Sequence, residues 1–231
     1  MKIFYEQINK RGNRKDEIKM NLANKLTIFR MILVPIMVII PFLNIQGEVL
    51  GIPITYLIID LIFIIASITD KLDGTIARSR NMVTTFGKFL DPIADKILVL
   101  AALIMLVDFG KIPAWIPIII LFREFAVSGY RLIASQNGGE VIAASIWGKL
   151  KTVTQMIAII LCFVDKFSFG DFIFRVSNEA DAVISSVGIY MTSGQFVINI
   201  LSTVMLLICV IATIFSGWDY LKGGKELLKD K

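Results

Sequence analysis

Six apolar stretches, each near the length of a membrane span, are the feature that most constrains how this 231-residue chain can fold. A membrane-spanning helix needs about 20 predominantly apolar residues. Hydrophobic residues make up 56% of the sequence, above the roughly 45–50% typical of soluble domains. The sequence therefore predicts an all-α integral membrane protein, a bundle of six transmembrane helices near 26–46, 53–69, 89–109, 113–134, 148–165 and 195–216.

The basic residues predict the orientation of this bundle. Most of the 24 Lys and Arg residues lie before residue 26, around the second and fourth connections, or in the C-terminal tail. The alternate connections contain Lys111, Lys166 and Arg175. Because basic residues are concentrated on the cytoplasmic side, we expect both termini in the cytoplasm. The net charge of +5 reflects this topology, and without a basic–aromatic module we expect no nucleic-acid partner.

The charge pattern also divides the chain. We expect a basic N-terminal extension at 1–20, a membrane domain at 21–225 and a basic tail at 226–231. We expect residues 1–19 to be dispensable for activity, because Met20 lies where members of the family that the chain resembles, named below, commonly begin.

The chain contains no histidine, which excludes histidine-based catalytic triads, histidine zinc motifs and histidine pH switches. The two cysteines, Cys162 and Cys209, lie far apart in apolar stretches and lack metal-ligand or redox spacing. We expect both to be packing residues. Catalysis must then depend on carboxylates, hydroxyls, Lys, Arg or bound metal.

Four aspartates flank the cytoplasmic junction between the second and third stretches. Asp70 and Asp73 are three residues apart, and Asp91 and Asp95 are four apart, so each pair shares one helix face. The short connection allows the two pairs to converge. Four converging carboxylates cannot all stay ionised without bound cations. Oxygen-only ligands favour hard ions, so we expect two Mg²⁺ or Mn²⁺ ions, an arrangement suited to displacement at phosphorus.

Neighbouring residues fit the same chemistry. Gly74 leaves room for a substrate beside Asp73, and Arg78, one turn further on, can bind a phosphate through two nitrogens. We also expect Pro92 in the first turn of the helix that carries Asp95.

The full pattern, D-x2-D-G-x2-A-R-x8-G-x3-D-x3-D from Asp70 to Asp95, resembles the signature of the CDP-alcohol phosphatidyltransferases at every position. The resemblance implies a six-helix membrane homodimer with a cavity open to the cytoplasm. It implies that Asp70, Asp73, Asp91 and Asp95 bind the metal ions and that Asp95 is also the general base. It further implies a CDP-diacylglycerol site formed by Asn24, Thr27, Asp73, Gly74, Ala77, Arg78 and Thr84.

Two further stretches resemble the phosphatidylglycerolphosphate synthase branch of that family, whose acceptor is sn-glycerol 3-phosphate. They are R-E-F-x-V-x-G-x-R from Arg123 to Arg131 and G-K-x-K-T from Gly148 to Thr152. A third, N-x-P-N-x-L-T-x-x-R, is matched from Asn21 to Arg30 except that Ala23 replaces the proline. The resemblance implies a bacterial cytoplasmic membrane location and an acceptor-phosphate site of Arg123, Arg131, Lys149 and Lys151.

Alternatives remain at this level. The acceptor could be that of a cardiolipin, phosphatidylserine or inositol-phosphate lipid synthase, and a cation transporter using the aspartates is a rival from another class. Asp60 lies within the second apolar stretch, where it is either a protonated hydrogen-bond partner between helices or a residue of the polar cavity.

Overall fold

The computed structural model describes residues 22–79, 85–136, 146–173 and 191–223, and these residues are mostly helical, as predicted, apart from one short β-hairpin. Six α-helices form most of these ranges: α1 (Leu22–Ile39), α2 (Ile54–Ser79), α3 (Thr85–Asp108), α4 (Trp115–Gln136), α5 (Ile146–Val164) and α6 (Ser193–Gly223).

A tight connection joins α1 to α2. A 3-10 helix (Ile40–Leu43) extends α1 and ends at Asn44, which has a left-handed φ of 47°. A short antiparallel hairpin follows, formed by β1 (Glu48–Val49) and β2 (Ile52–Pro53). Its two central residues, Leu50 and Gly51, have φ of 57° and 77°, as a two-residue type I′ turn requires. The chain therefore reverses within a few residues and enters α2.

Within the described ranges, three segments are long and apolar enough to cross a membrane: Leu26–Leu43, Ile146–Val164 and Ser193–Tyr220. The apolar part of α2, Ile54–Thr69, is shorter. Both α3 and α4 include charged side chains within their length, such as Lys96 and Glu124. The membrane character of the chain is thus supported, whereas the full set of six spans stays a prediction.

The helices pack around a common apolar core. α5 packs extensively against α6, α1 contacts α2 and α3, and α4 contacts α6. Fully buried side chains from several helices meet there, including Phe63, Leu103, Ile120 and Phe163. Other large apolar side chains face outward, for example Phe122 at 75% and Trp218 at 66% exposure. Such an apolar exterior fits contact with lipid.

Pro92 is not in a first helical turn, so that expectation is wrong. Helix α3 begins at Thr85, which places Pro92 in its interior. Pro35 likewise lies inside α1. Membrane helices tolerate interior proline because neighbouring groups can satisfy the freed backbone carbonyl. Proline was therefore a poor marker of the helix start in this chain.

A buried polar cluster joins the connection between α3 and α4 to the end of α5 and to α6. The Asp165 carboxylate accepts hydrogen bonds from Asn199 Nδ2 at 2.8 Å and Ser202 Oγ at 2.6 Å. Lys111 Nζ donates to the backbone carbonyls of Asp165 and Lys166. Burial lowers the pKa of Lys111 below its ordinary value, and the nearby Asp165 carboxylate opposes that shift. This cluster fixes the loops at the end of the bundle remote from Lys151.

The cysteines and Asp60 are all buried. Cys162 and Cys209 are free thiols within the apolar core, which confirms that they are packing residues. Asp60 is 4% exposed, and among the described residues its Oδ1 has no hydrogen-bond partner. Asp60 does not line the cavity that contains Asp95, so neither expected role is established for it.

Candidate active site

The backbone places the four signature aspartates on two consecutive helices. Asp70 and Asp73 lie in the second half of α2, and Asp91 and Asp95 lie in the first half of α3. Residues 80–84 alone separate the two helices. The side chain of Asp95 is described and is partly buried. The side chains of Asp70, Asp73 and Asp91 lie outside the described residues.

Most of the expected nucleotide-binding side chains also lie outside the described set. They are Asn24, Gly74, Ala77, Arg78 and Thr84. Thr27 is described: it lies on α1 and is 1% exposed. Its burial is compatible with a position on an internal surface of the bundle.

A cavity of about 300 Å³ lies between α3, α4 and α5. Its walls are largely apolar, and its polar side chains belong to Asp95, Lys96, Glu124, Lys151, Thr152 and Gln155. The cavity thus combines the expected general base, Asp95, with one of the expected phosphate-binding residues, Lys151. These two residues are 56 positions apart in the sequence, and the packing of α5 near α3 brings them to one space.

Lys151 is held by an acidic partner. Its ammonium donates to Glu124 Oε1, which forms an ion pair with it, and Lys151 is 3% exposed. The same carboxylate oxygen lies 3.4 Å from Arg123 Nη1. A buried ammonium requires such a counter-charge, because desolvation of an unpaired charge is costly. Glu124 therefore links Lys151 with Arg123.

Lys96, next to Asp95, is also fixed from α4. Its Nζ hydrogen-bonds to Ser128 Oγ, and Ser128 Oγ donates to the backbone carbonyl of Glu124 at 2.7 Å. Lys96 and Lys151 therefore both form hydrogen bonds to the turn of α4 between Glu124 and Ser128.

The two arginines of α4 face α6. Arg123 Nη2 donates to Ser216 Oγ, and Arg131 Nη2 donates to Tyr220 Oη. The Tyr220 ring also lies 5.7 Å from Arg123 Cζ and 5.3 Å from Arg131 Cζ, so it contacts both guanidinium groups. Arg123 and Tyr220 line a separate groove of about 480 Å³ between α4 and α6.

The expected acceptor-phosphate residues are therefore divided. Lys151 lines the cavity with Asp95, whereas Arg123 and Arg131 contact α6 beside it. Lys149 is exposed and lines neither of these two spaces. Arg123 and Lys151 are connected through Glu124.

Sequence reasoning missed several residues of this site. The sequence patterns assign no role in the site to Glu124, Lys96, Gln155, Ser216 or Tyr220. Two spacings could have drawn attention to them: Gln155 follows Lys151 by four residues, and Tyr220 follows Ser216 by four. Residues four apart lie on the same helix face.

The donor set fits a hard divalent cation. The two aspartate pairs lie on adjoining helices, the sequence contains no histidine, and neither of its two cysteines lies near these pairs in the sequence. Among the side chains that the structure describes, no cluster of three potential ligands is present. That set contains Asp95 but not the other three signature aspartates.

Comparison with known proteins is consistent with this geometry. Residues 20–218 match the model of the CDP-alcohol phosphatidyltransferase family. A CDP-diacylglycerol–glycerol-3-phosphate 3-phosphatidyltransferase of Bacillus subtilis is 41% identical over 216 residues, which cover 90% of this chain and 97% of that protein.

Proteins of the same name from two other bacteria are also similar. The Haemophilus influenzae protein is 36% identical over 217 residues, with 92% of this chain and 98% of that protein covered. The Rickettsia bellii protein is 34% identical over 213 residues, with 91% and 98% covered. With its signature aspartates on adjoining helices and a family match that spans most of its length, the chain belongs to the CDP-alcohol phosphatidyltransferase family.

Proposed function

We propose that the protein transfers the phosphatidyl group of CDP-diacylglycerol to sn-glycerol 3-phosphate, forming phosphatidylglycerol phosphate and CMP. The relatives named for this reaction align with nearly the whole chain. The structural observation that carries the proposal is the cavity that Asp95 and Lys151 line together. A carboxylate base and a fixed cation in one cavity suit an acceptor that has both a hydroxyl and a phosphate.

Asp95 acts as the general base in this proposal. An alcohol is a very weak acid, so its hydroxyl must lose the proton as the oxygen attacks phosphorus. Asp95 accepts that proton while the oxygen bonds to the phosphorus that bears diacylglycerol. The bond from that phosphorus to the CMP oxygen breaks, and CMP leaves.

Basic residues hold the acceptor phosphate. Lys151 presents a point charge inside the cavity, kept in place by Glu124. Arg123 and Arg131 contribute planar guanidinium groups whose orientation is set by α6. Lys149, at the exposed start of α5, adds positive charge that attracts the anionic acceptor.

The nucleotide part of the donor is assigned to the signature segment and to α1. Asp73, Gly74, Ala77 and Arg78 on α2 would hold the CDP moiety, together with Thr84. Asn24 and Thr27 on α1 complete this set.

Two Mg²⁺ or Mn²⁺ ions complete the proposed site. Asp70, Asp73, Asp91 and Asp95 would hold them, since all four donors are carboxylates. When bound, the ions supply positive charge that offsets the negative charge developing on the pyrophosphate.

The proposed membrane arrangement has six spans, both termini in the cytoplasm and the active site open to the cytoplasm of a bacterial cell. The apolar exterior of the helices and the concentration of basic residues at alternate connections support it. We also propose a homodimer, as the family resemblance implies.

The acceptor is tested by supplying CDP-diacylglycerol, Mg²⁺ or Mn²⁺ and one alcohol at a time to the full-length enzyme, and measuring CMP. We expect release with sn-glycerol 3-phosphate and none above the acceptor-free control with serine or inositol phosphate. Release with either of the latter but not with glycerol 3-phosphate would overturn the proposal.

A further inference from the structure

Gln155 has a buried side-chain amide at the candidate active site, and the proposed reaction assigns this residue no role. It lies on α5, is 4% exposed and lines the cavity shared by Asp95 and Lys151. Its Nε2 is buried and has no hydrogen-bond partner among the residues that the structure describes. A buried polar group without a partner is unfavourable, and native proteins rarely retain one without a reason.

The position of Gln155 relates it to the acceptor. It follows Lys151 by four residues, so both side chains lie on the same face of α5, about one turn apart. Lys151 provides the charge that suits a phosphate. When the phosphate of a ligand lies at Lys151, the rest of the ligand can reach Gln155 on the next turn of α5.

The chemistry of the acceptor leaves one group without a protein partner. The phosphate pairs with basic residues, and the attacking hydroxyl must face Asp95. The second hydroxyl is neutral and is suited to a neutral partner. Two uncharged polar side chains line the cavity among the described residues, Thr152 and Gln155. Thr152 is exposed and already donates to Gly148 O at 3.1 Å, which leaves the Gln155 amide as the candidate partner.

We propose that the Gln155 side-chain amide donates a hydrogen bond to the non-reacting secondary hydroxyl of sn-glycerol 3-phosphate and so contributes to acceptor specificity. The proposal rests on the proposed function. A site built to bind a hydroxyl discriminates against an analogue that lacks it, because the buried donor then remains unpaired.

The test compares two acceptors, sn-glycerol 3-phosphate and 3-hydroxypropyl phosphate, which lacks only the secondary hydroxyl. We expect the wild-type enzyme to prefer glycerol 3-phosphate by about fivefold to tenfold in kcat/KM, the range of one hydrogen bond. In Gln155→Met, which preserves length without the amide, this ratio should fall to near one. Thr154→Val, a buried neighbour whose hydroxyl bonds to its own helix, should keep the wild-type ratio.

The ratio is independent of how much enzyme folds, and Gln155→Ala provides a second variant if the first is poorly produced. An unchanged ratio in both variants would refute the proposal, as would a rise confined to the KM for CDP-diacylglycerol. If the wild-type enzyme does not use glycerol 3-phosphate, the proposed function itself fails, which is a different result.

Discussion

The Glu124 carboxylate on α4 is ion-paired with the Lys151 ammonium on α5, and this pair forms part of the wall of the candidate active site. An acidic residue beside an expected phosphate ligand could compete with the substrate. Because Lys151 is buried, however, the stronger effect is that Glu124 provides its counter-charge and holds it in place.

Glu124→Gln removes that counter-charge while keeping a hydrogen-bond acceptor. We expect the KM for glycerol 3-phosphate to rise about tenfold or more and the protein to lose about 1–3 kcal/mol of stability. Initial-rate kinetics and thermal unfolding in detergent measure the two effects. Glu48→Gln, an exposed substitution in the hairpin, is the matched control. A lower KM in Glu124→Gln would mean that competition with substrate dominates.

Tyr220 contacts Arg131 and Arg123 at once, which makes it a positioning residue for both guanidinium groups. Tyr220→Phe loses the hydroxyl but keeps the ring, so we expect a twofold to fivefold rise in the KM for glycerol 3-phosphate. Tyr220→Leu loses both the hydroxyl and the ring. We expect the KM for glycerol 3-phosphate to rise about tenfold or more in this variant, in line with the energy of cation–π contacts. The KM for CDP-diacylglycerol should not change.

A purely structural role for Tyr220 would affect both substrates equally and would show no difference between Phe and Leu. Trp218→Leu serves as the control on the same helix, since Trp218 is 66% exposed and contacts neither arginine through its ring.

Asp95→Asn tests the proposed base. The amide cannot accept the acceptor's proton, so we expect kcat to fall by about 10²–10⁴-fold. Binding of CDP-diacylglycerol, measured directly with the labelled donor, should change much less. Asp108→Asn, at the far end of the same helix, should retain activity. Turnover by Asp95→Asn at the wild-type rate would exclude Asp95 as the base.

The helices of this bundle were largely predictable because membrane spans have long apolar stretches. The stretch predicted at 148–165 corresponds to α5 at Ile146–Val164. Pro92 does not mark the start of α3, because a membrane helix continues through a proline where neighbouring groups satisfy the freed backbone carbonyl.

Side-chain partners were harder to predict than helices. Arg123 and Glu124 are adjacent in the sequence, yet successive residues of a helix point about 100° apart. Glu124 therefore contacts α5, whereas Arg123 contacts Ser216 on α6. Ser216 is 93 positions away from Arg123, and no local pattern relates two such residues. The packing of α4 against α5 and α6 therefore determines that Lys151 lines the cavity while Arg123 and Arg131 contact α6, and the sequence alone does not predict this separation.

We expect the Asp165 cluster to contribute to the stability of the folded protein but not to its catalytic activity. Asp165 is 2% exposed and accepts hydrogen bonds from Asn199 and Ser202, as well as from Phe167 N at 2.9 Å. Asp165→Asn replaces an accepting oxygen with a donating NH₂ group, which leaves at least one of these donors without a partner. We expect a loss of about 2–4 kcal/mol of stability, measured by thermal or denaturant unfolding in detergent.

The position of the cluster explains why activity should persist. Asp165 follows the end of α5, about 20 Å along the helix axis from Lys151. At temperatures where the variant stays folded, its kcat and both KM values should therefore match those of the wild type. Asp171→Asn is the matched control: Asp171 accepts one bond, from Ser168 N at 2.8 Å, and is only partly buried. Equal destabilisation by the two variants would show that burial of the Asp165 cluster is not what holds these loops.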